Sequence, residues 1–222
     1  MTMLRNVNKA RALFFDFDGT LVDSLPILRK VYMDYMETIG KEGTEEEFQK
    51  LNGPNIDEII GYLKKKYSLE DSPESMKEMF HHLFRGIYAK QVDFFPGVLD
   101  FLHFAKERGF RLYVVTSAEP IMVSLVFKKN NLDDILEGII SSKDFRNGKP
   151  HPEVYLRALI QAELNSDEVI AFEDSVNGIL SSTRAGIRTI AFGSHLPSDE
   201  VTPVQNWQDV TRLFQGGARG EI

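Results

Sequence analysis

Cysteine is missing from all 222 residues. Its absence excludes disulfides, thiolate-bound zinc and a cysteine nucleophile, and is compatible with a reducing compartment. Long apolar runs are missing too. No window approaches the ~18 apolar residues of a membrane-spanning helix, and residues 1–9 hold no apolar stretch of secretory length. The expectation is a cytoplasmic protein with no membrane partner. Positive charge is in deficit: 26 Lys and Arg stand against 33 Asp and Glu, for a net charge of −7. Such a balance repels a phosphate backbone at long range, so nucleic acid is not an expected partner. A local basic pocket for a small phosphate ester remains compatible with it. Internal repeats and low-complexity tracts are absent as well.

What is present is ordinary globular material. A hydrophobic content of 42% over this length can bury a sizeable core, as one generous domain or as a core with a smaller companion. Short apolar runs recur at residues 12–17, 111–116, 138–141, 169–172 and 189–192. Their near-continuous hydrophobicity suits strands buried on both faces. Helical patterns alternate with them. One carries Val98, Leu99, Leu102, Phe104 and Ala105 and stops near Gly109. A second carries Met122, Leu125, Val126 and Lys129. A third opens at Pro152 with Val154, Leu156, Leu159 and Ile160, proline being suited to a first helical turn. A fourth runs over residues 177–185 and closes at Gly186. This alternation predicts an α/β fold with a parallel sheet and helices on both faces.

Residues 23–93 read differently. Strand character is scarce, and two helical stripes stand out: Ile56, Ile59, Ile60 and Leu63, then Met76, Met79, Phe80, Leu83, Phe84 and Ile87. A helical subdomain inserted between residues 1–22 and 94–222 is the expectation. Its hinges are expected near residues 23–25 and 94–97. Lys64, Lys65 and Lys66 read as a solvated helix face. His81 and His82 read as surface or packing residues, and His151 as structural. Trp207 is expected to pack a C-terminal helix onto the sheet. Residues 216–222 are expected to form a frayed tail.

The residues that carry chemistry follow the apolar runs. Asp16 and Asp18 end the first run. Two apart on a strand, their carboxylates point the same way, and Gly19 breaks the strand after them. Ligands of open α/β sheets bind beyond the carboxyl ends of the strands. Two acids there make a hard-cation site, or a nucleophile beside a general acid; the plain alternative is an Asp-Gly turn. The second run ends at Thr116-Ser117, where a hydroxyl can donate to a phosphate oxygen or cap a helix. Lys149 lies between Gly148 and Pro150-His151-Pro152, a stiffened segment holding a compact positive charge suited to a phosphoryl group. Glu173-Asp174-Ser175 follows the fourth run. The acids there can complete a magnesium site, or Asp174 or Ser175 can cap a helix.

In this order, DFDGTLVDS (16–24), VVTSA (114–118), GKPHPEVY (148–155) and FEDSVNGI (172–179) resemble the four motifs of the haloacid-dehalogenase-like superfamily. The resemblance covers essentially the whole α/β core. It implies a Rossmann-like, doubly wound core with an all-helical cap that closes over the site. It also implies magnesium-dependent phosphoryl transfer through an aspartyl-phosphate. On that resemblance Asp16 attacks phosphorus, and Asp18 protonates the leaving oxygen and then deprotonates water. Thr116 and Lys149 hold phosphoryl oxygens, with Gly19, Thr20 and Ser117 as further phosphate-binding positions. Asp16, Asp174 and the backbone carbonyl of Asp18 bind magnesium, with Glu173 doing so directly or through water.

Asp18 separates this chain from the dehalogenases and phosphonate hydrolases of the superfamily, which lack it, and points to phosphate esters. The loop Leu51-Asn52-Gly53-Pro54-Asn55 resembles the cap loop of phosphoglycolate-phosphatase-like enzymes. It lacks the basic residue of β-phosphoglucomutase-like mutases. Asn52 is therefore a candidate substrate contact. The reading is a phosphatase for a small phosphorylated metabolite, acting as a monomer or weak dimer. A sugar phosphomutase and an inactive phosphate-ester-binding protein are the alternatives.

Overall fold

A computed structural model describes residues 9–51, 56–193 and 200–216. The chain forms two units, one of residues 1–23 with 93–222 and the other of residues 24–92. In the first unit six strands run parallel: β1 (Ala12–Phe15), β2 (Arg111–Thr116), β3 (Gly138–Ser141), β4 (Val169–Glu173), β5 (Arg188–Phe192) and β6 (Val201–Val204). Their order across the sheet is β3-β2-β1-β4-β5-β6. Five were legible as apolar runs. The sixth was not, because Pro203 interrupts it and only Val204 of its four residues is buried. A strand containing proline is tolerated at a sheet edge, where β6 lies.

The helices of the second unit are α1 (Leu25–Thr38), α2 (Glu45–Leu51), α3 (Ile56–Tyr67) and α4 (Pro73–Gln91). Those of the first are α5 (Val98–Glu107), α6 (Pro120–Lys129), α7 (Glu153–Ala162), α8 (Val176–Arg184) and α9 (Trp207–Gly216). All four residues of β1 are fully buried, so both sheet faces must be covered. Ala12, Phe14, Tyr113, Val115 and Ala171 pack against Val154, Tyr155, Ala158 and Ala162 of α7. On the opposite face Phe15 and Phe172 stack at 4.8 Å between centroids, and Phe172 stacks on Trp207 at 5.5 Å. Phe101 sits 5.2 Å from both Trp207 and Phe214. Trp207 does pack its helix onto the sheet. Its indole N–H also donates to the Thr20 carbonyl at 3.1 Å, which satisfies its buried polar atom.

Periodicity located these helices and most of their buried residues, but it also placed four exposed apolar residues in the buried stripes. In α7 the buried residues are Val154, Tyr155, Ala158, Leu159 and Ala162, while the expected stripe members Leu156 and Ile160 are exposed. Leu99 of α5 and Leu125 of α6 are likewise exposed, and Phe101, Val123 and Phe127 take their places inside. Each helix is apolar on more than one side, so spacing alone leaves its rotation open. Pro152 caps α7 instead of starting it, and Ser175, not Asp174, caps α8 by accepting from the Gly178 N–H at 3.0 Å. Gly216 is the last helical residue of α9; residues 217–222 lie outside the described part.

The chain leaves the α/β unit and returns to it through a short antiparallel neck. Val22 pairs with Phe94, the Asp23 N–H donates to the Asp93 carbonyl, and the Phe95 N–H donates to the Leu21 carbonyl. Within the helical unit, Tyr32, Tyr35, Met36, Phe48, Ile60, Leu63 and Met76 form a core. Pro73 at the start of α4 follows a Ser72 cap that accepts from the Ser75 N–H. A buried carboxylate ties three of the helices together. Glu47 accepts from Tyr32 at 2.5 Å, Tyr67 at 2.8 Å and Lys66 at 2.7 Å. The lysine run therefore does more than face solvent. It ends α3, where positive charge complements the helix dipole, and Lys64 caps the carbonyls of Leu69 and Asp71.

Candidate active site

Chain direction fixes where chemistry can gather. The strand order reverses between β1 and β4, and crevices at such a switch point open beyond the carboxyl ends of the strands. Asp16 follows β1, Thr116 ends β2, and Glu173 ends β4 with Asp174 next. Although β1 stops at Phe15, the Asp16 N–H still donates to the Phe172 carbonyl at 2.9 Å. The nucleophile candidate is thus anchored to the central strand pair.

Lys149 reaches this end from the segment before α7. Its ammonium donates to Asp16 Oδ1 at 2.6 Å, Glu173 Oε1 at 2.6 Å and the Val115 carbonyl at 3.1 Å. Three acceptors match its three protons. The segment is fastened on both sides. Asn147 donates to Glu153 through backbone and side chain, Arg184 donates to the Pro150 carbonyl, and Ser181 donates to the His151 carbonyl at 2.6 Å. The His151 imidazole is exposed and accepts from the Glu153 N–H, a structural role.

Two glycines make room for the acids. Gly178, in the first turn of α8, has Glu173 against its α-carbon. A β-carbon there would sit 1.9 Å from Oε2 and 2.4 Å from Oε1. Gly19 has φ +81°, and a β-carbon on it would meet Asp174 Oδ2 at 2.2 Å. Thr20 Oγ1 donates to Asp174 Oδ1 at 3.2 Å. Gly19 and Thr20, expected as phosphate-binding positions, are placed against Asp174.

The charge balance is uneven. Asp16, Glu173 and Asp174 each bring a carboxylate oxygen within 4.8 Å of the others, and one ammonium faces them. Burial and then the Asp16 charge raise the Asp174 pKa to about 6. Burial pushes that of Glu173 above the ordinary carboxylate value, while the Lys149 charge beside it acts in the opposite sense. Burial opposes the charge on Lys149, but Asp16 and Glu173 outweigh it and hold the pKa above the usual lysine value. Tyr155 is pushed far above the usual phenol value by burial and then by the Glu173 charge, so its hydroxyl stays a donor. Glu173 Oε1 accepts from both Lys149 and Tyr155, while Oε2 is buried without a hydrogen-bond partner. An all-oxygen donor set, an orphaned carboxylate oxygen and surplus negative charge fit a hard divalent cation such as magnesium. Among the described residues no other cluster of three such groups forms.

The structure brings Asp16, Lys149, Glu173 and Asp174 together. Thr116 is buried at the end of β2, and its Oγ1 accepts from the Ala118 N–H at 2.9 Å, so its own proton remains to be donated. Ser117 is exposed beside it and accepts from Ser142 Oγ at 3.1 Å. The Asp18 side chain is half-buried and stands outside the carboxylate trio. Asn52 lies outside the described residues. His81 and His82, on α4, join no metal cluster. Sequence reasoning missed Tyr155 and Gly178. Both stood in quoted motifs, but neither carried a signal of its own there: an aromatic and a glycine within helical segments have no pattern that marks them as functional.

A family model described as haloacid dehalogenase-like hydrolase matches residues 13–192. The phosphorylated carbohydrates phosphatase of Thermotoga maritima is 28% identical over 81% of this chain and 83% of its own length. Hexitol phosphatase B of Escherichia coli K12 is also 28% identical, over 81% and 82%. The crystal structure of β-phosphoglucomutase from Clostridium difficile superposes with a TM-score of 0.72 at 19% identity, covering 93% of this chain and 98% of that one. That last likeness bears on fold alone. No helix among the described residues is long and apolar enough to cross a membrane.

Proposed function

Because the chain belongs to the haloacid dehalogenase-like hydrolase family, we propose that it is a magnesium-dependent phosphatase. It hydrolyses a small phosphorylated metabolite through an aspartyl-phosphate on Asp16. The observation that carries this reading is the buried Asp16–Lys149 contact of 2.6 Å beside Glu173 and Asp174 at one sheet end. A structural ion pair has no need of a second and third carboxylate that leave charge uncompensated. A phosphoryl-transfer site does, because a cation and a dianionic substrate complete it. The two phosphatase relatives act, by their names, on phosphorylated carbohydrates and hexitols. A phosphorylated sugar or sugar alcohol is therefore the first substrate class to test. The helical unit is the part we assign to substrate choice.

Asp16, Asp174 and the Asp18 carbonyl would hold magnesium. When bound, it neutralises charge on the transferring group and on the carboxylates. The rest of the chemistry falls to the protein's own groups. An Asp16 oxygen forms a bond to phosphorus as the ester P–O bond breaks. Asp18 gives its proton to the leaving oxygen, then takes one from the water that attacks the phospho-aspartate and releases phosphate. Lys149 keeps its charge throughout and, with the Thr116 hydroxyl, stabilises the phosphoryl oxygens. Glu173 holds Lys149 in place.

A panel of sugar and polyol phosphates assayed with magnesium tests the reading through steady phosphate release. Asp16→Asn should abolish turnover in a protein that still folds and unfolds cooperatively. Retained turnover in a clean preparation overturns the assigned nucleophile. Isomerisation dependent on a bisphosphate activator would favour a mutase.

A further inference from the structure

We propose that Tyr155 is a positioning residue of this site, setting the Lys149 ammonium through Glu173; the inference rests on the phosphatase reading above. Tyr155 is fully buried, and its hydroxyl donates to Glu173 Oε1 at 2.5 Å. That same oxygen accepts from Lys149 at 2.6 Å, and the ammonium sits 5.4 Å from the Tyr155 ring centroid. Tyr155 thus touches both members of the pair, one through its hydroxyl and the other through its ring face.

The other Glu173 oxygen has no hydrogen-bond partner, so two donors on one oxygen define where the carboxylate lies. Gly178 closes the space on its far side. Only five residues separate Lys149, in the fastened segment before α7, from Tyr155 in the first turn of α7. This short stretch thereby delivers a cation and the donor that orients the cation's counter-charge. Packing of α7 onto the sheet needs the ring but not the hydroxyl, since Val154, Ala158 and Ala162 share that work. A phenol aimed at the carboxylate that grips Lys149 is therefore more than core filling.

Loss of the hydroxyl should loosen Glu173 and let the ammonium drift from where phosphoryl charge develops. That affects the transition state more than substrate capture. The test is Tyr155→Phe in the full-length enzyme with magnesium and the best ester of the panel. The expected result is a kcat lowered about tenfold, the usual scale for a lost hydrogen bond to a charged group. KM should change by less than about twofold, the pattern of an interaction made only in the transition state. Inhibition by orthovanadate should weaken in parallel with kcat, and inhibition by inorganic phosphate should not. A merely structural role would leave the ratio of vanadate to phosphate inhibition where it is. An unchanged kcat, or equal losses in vanadate and phosphate inhibition, overturns the inference. If the wild-type enzyme releases no phosphate from any ester, the phosphatase reading fails instead, and the two failures are told apart by that control.

Discussion

Replacing Gly178 with alanine should destabilise this protein, although the same change in a helix usually helps. An exposed helical Gly→Ala substitution stabilises by roughly 0.5–1 kcal/mol, because glycine loses the most backbone entropy on folding. Gly86 of α4 is such a site, exposed and with nothing within 4 Å of an added β-carbon. At Gly178 the added carbon would lie 1.9 Å from Glu173 Oε2 and 2.2 Å from its carboxyl carbon. Real β-carbons do not approach other atoms below 3.0 Å, so something must move. If Glu173 swings away, it abandons Lys149 and Tyr155, and breaking one side of a buried charge pair costs about 3–5 kcal/mol. If α8 instead lifts from β4, overpacking costs about 1–3 kcal/mol. The cheaper route governs, so Gly178→Ala should lose about 1–3 kcal/mol and about 2–12 °C in Tm for a chain of this size. Gly86→Ala should gain about 2–4 °C per kcal/mol of added stability. Urea and thermal unfolding of both variants beside the wild type decide the matter, and turnover should fall only in Gly178→Ala. A Gly178→Ala protein as stable and as active as the wild type would refute the account of how Glu173 is held.

Two further outcomes are expected. Glu47→Ala should weaken the helical unit by about 2–4 kcal/mol, since two tyrosine hydroxyls lose a charged acceptor. Burial opposes ionisation of Glu47, but its bonds from Lys66, Tyr32 and Tyr67 prevail and hold its pKa below the ordinary value. A lowered carboxylate pKa contributes stability above the unfolded value near 4.5 and loses it as pH falls through the folded value. Stability measured from pH 6 to pH 3 should therefore decline less steeply in the variant; parallel slopes would contradict this. Magnesium should raise Tm by mass action, about 2.7 kcal/mol at a hundredfold excess over Kd, and excess chelator should abolish turnover. Calcium should restore little activity, because its coordination is looser. Full activity in chelator would remove magnesium from the mechanism.

The parts of the site legible in sequence share one property: they are polar residues directly after an apolar run. Asp16, Thr116 and Glu173-Asp174 are of this kind, and topology alone brings the ends of β1, β2 and β4 side by side. Lys149 was legible through the prolines around it. Tyr155 was not, because an aromatic in an amphipathic helix reads as core, and the expected stripe of α7 chose Leu156 and Ile160, which face solvent. The contact of Gly19 depends on a carboxylate that another strand end delivers, which no local pattern encodes, and that of Gly178 with Glu173, five residues earlier, is set by the strand-to-helix turn and not by periodicity. Among the strands, β6 escaped because an edge strand needs neither continuous hydrophobicity nor every backbone donor.

The central place of β1 has a bearing on how the enzyme is made. Ala12 pairs with Arg111 on one side and with Val169 on the other, so the strand that leads into Asp16, the proposed nucleophile, is synthesised early and completed late. A nascent chain that has passed the whole helical unit still lacks both neighbours of β1, and it lacks Lys149, Glu173 and Asp174 as well. Contacts of such long range slow folding. They also mean that no truncated product ending before β4 can assemble the acidic cluster, so in this topology Asp16 meets its charged partners only after the chain has passed the fourth strand.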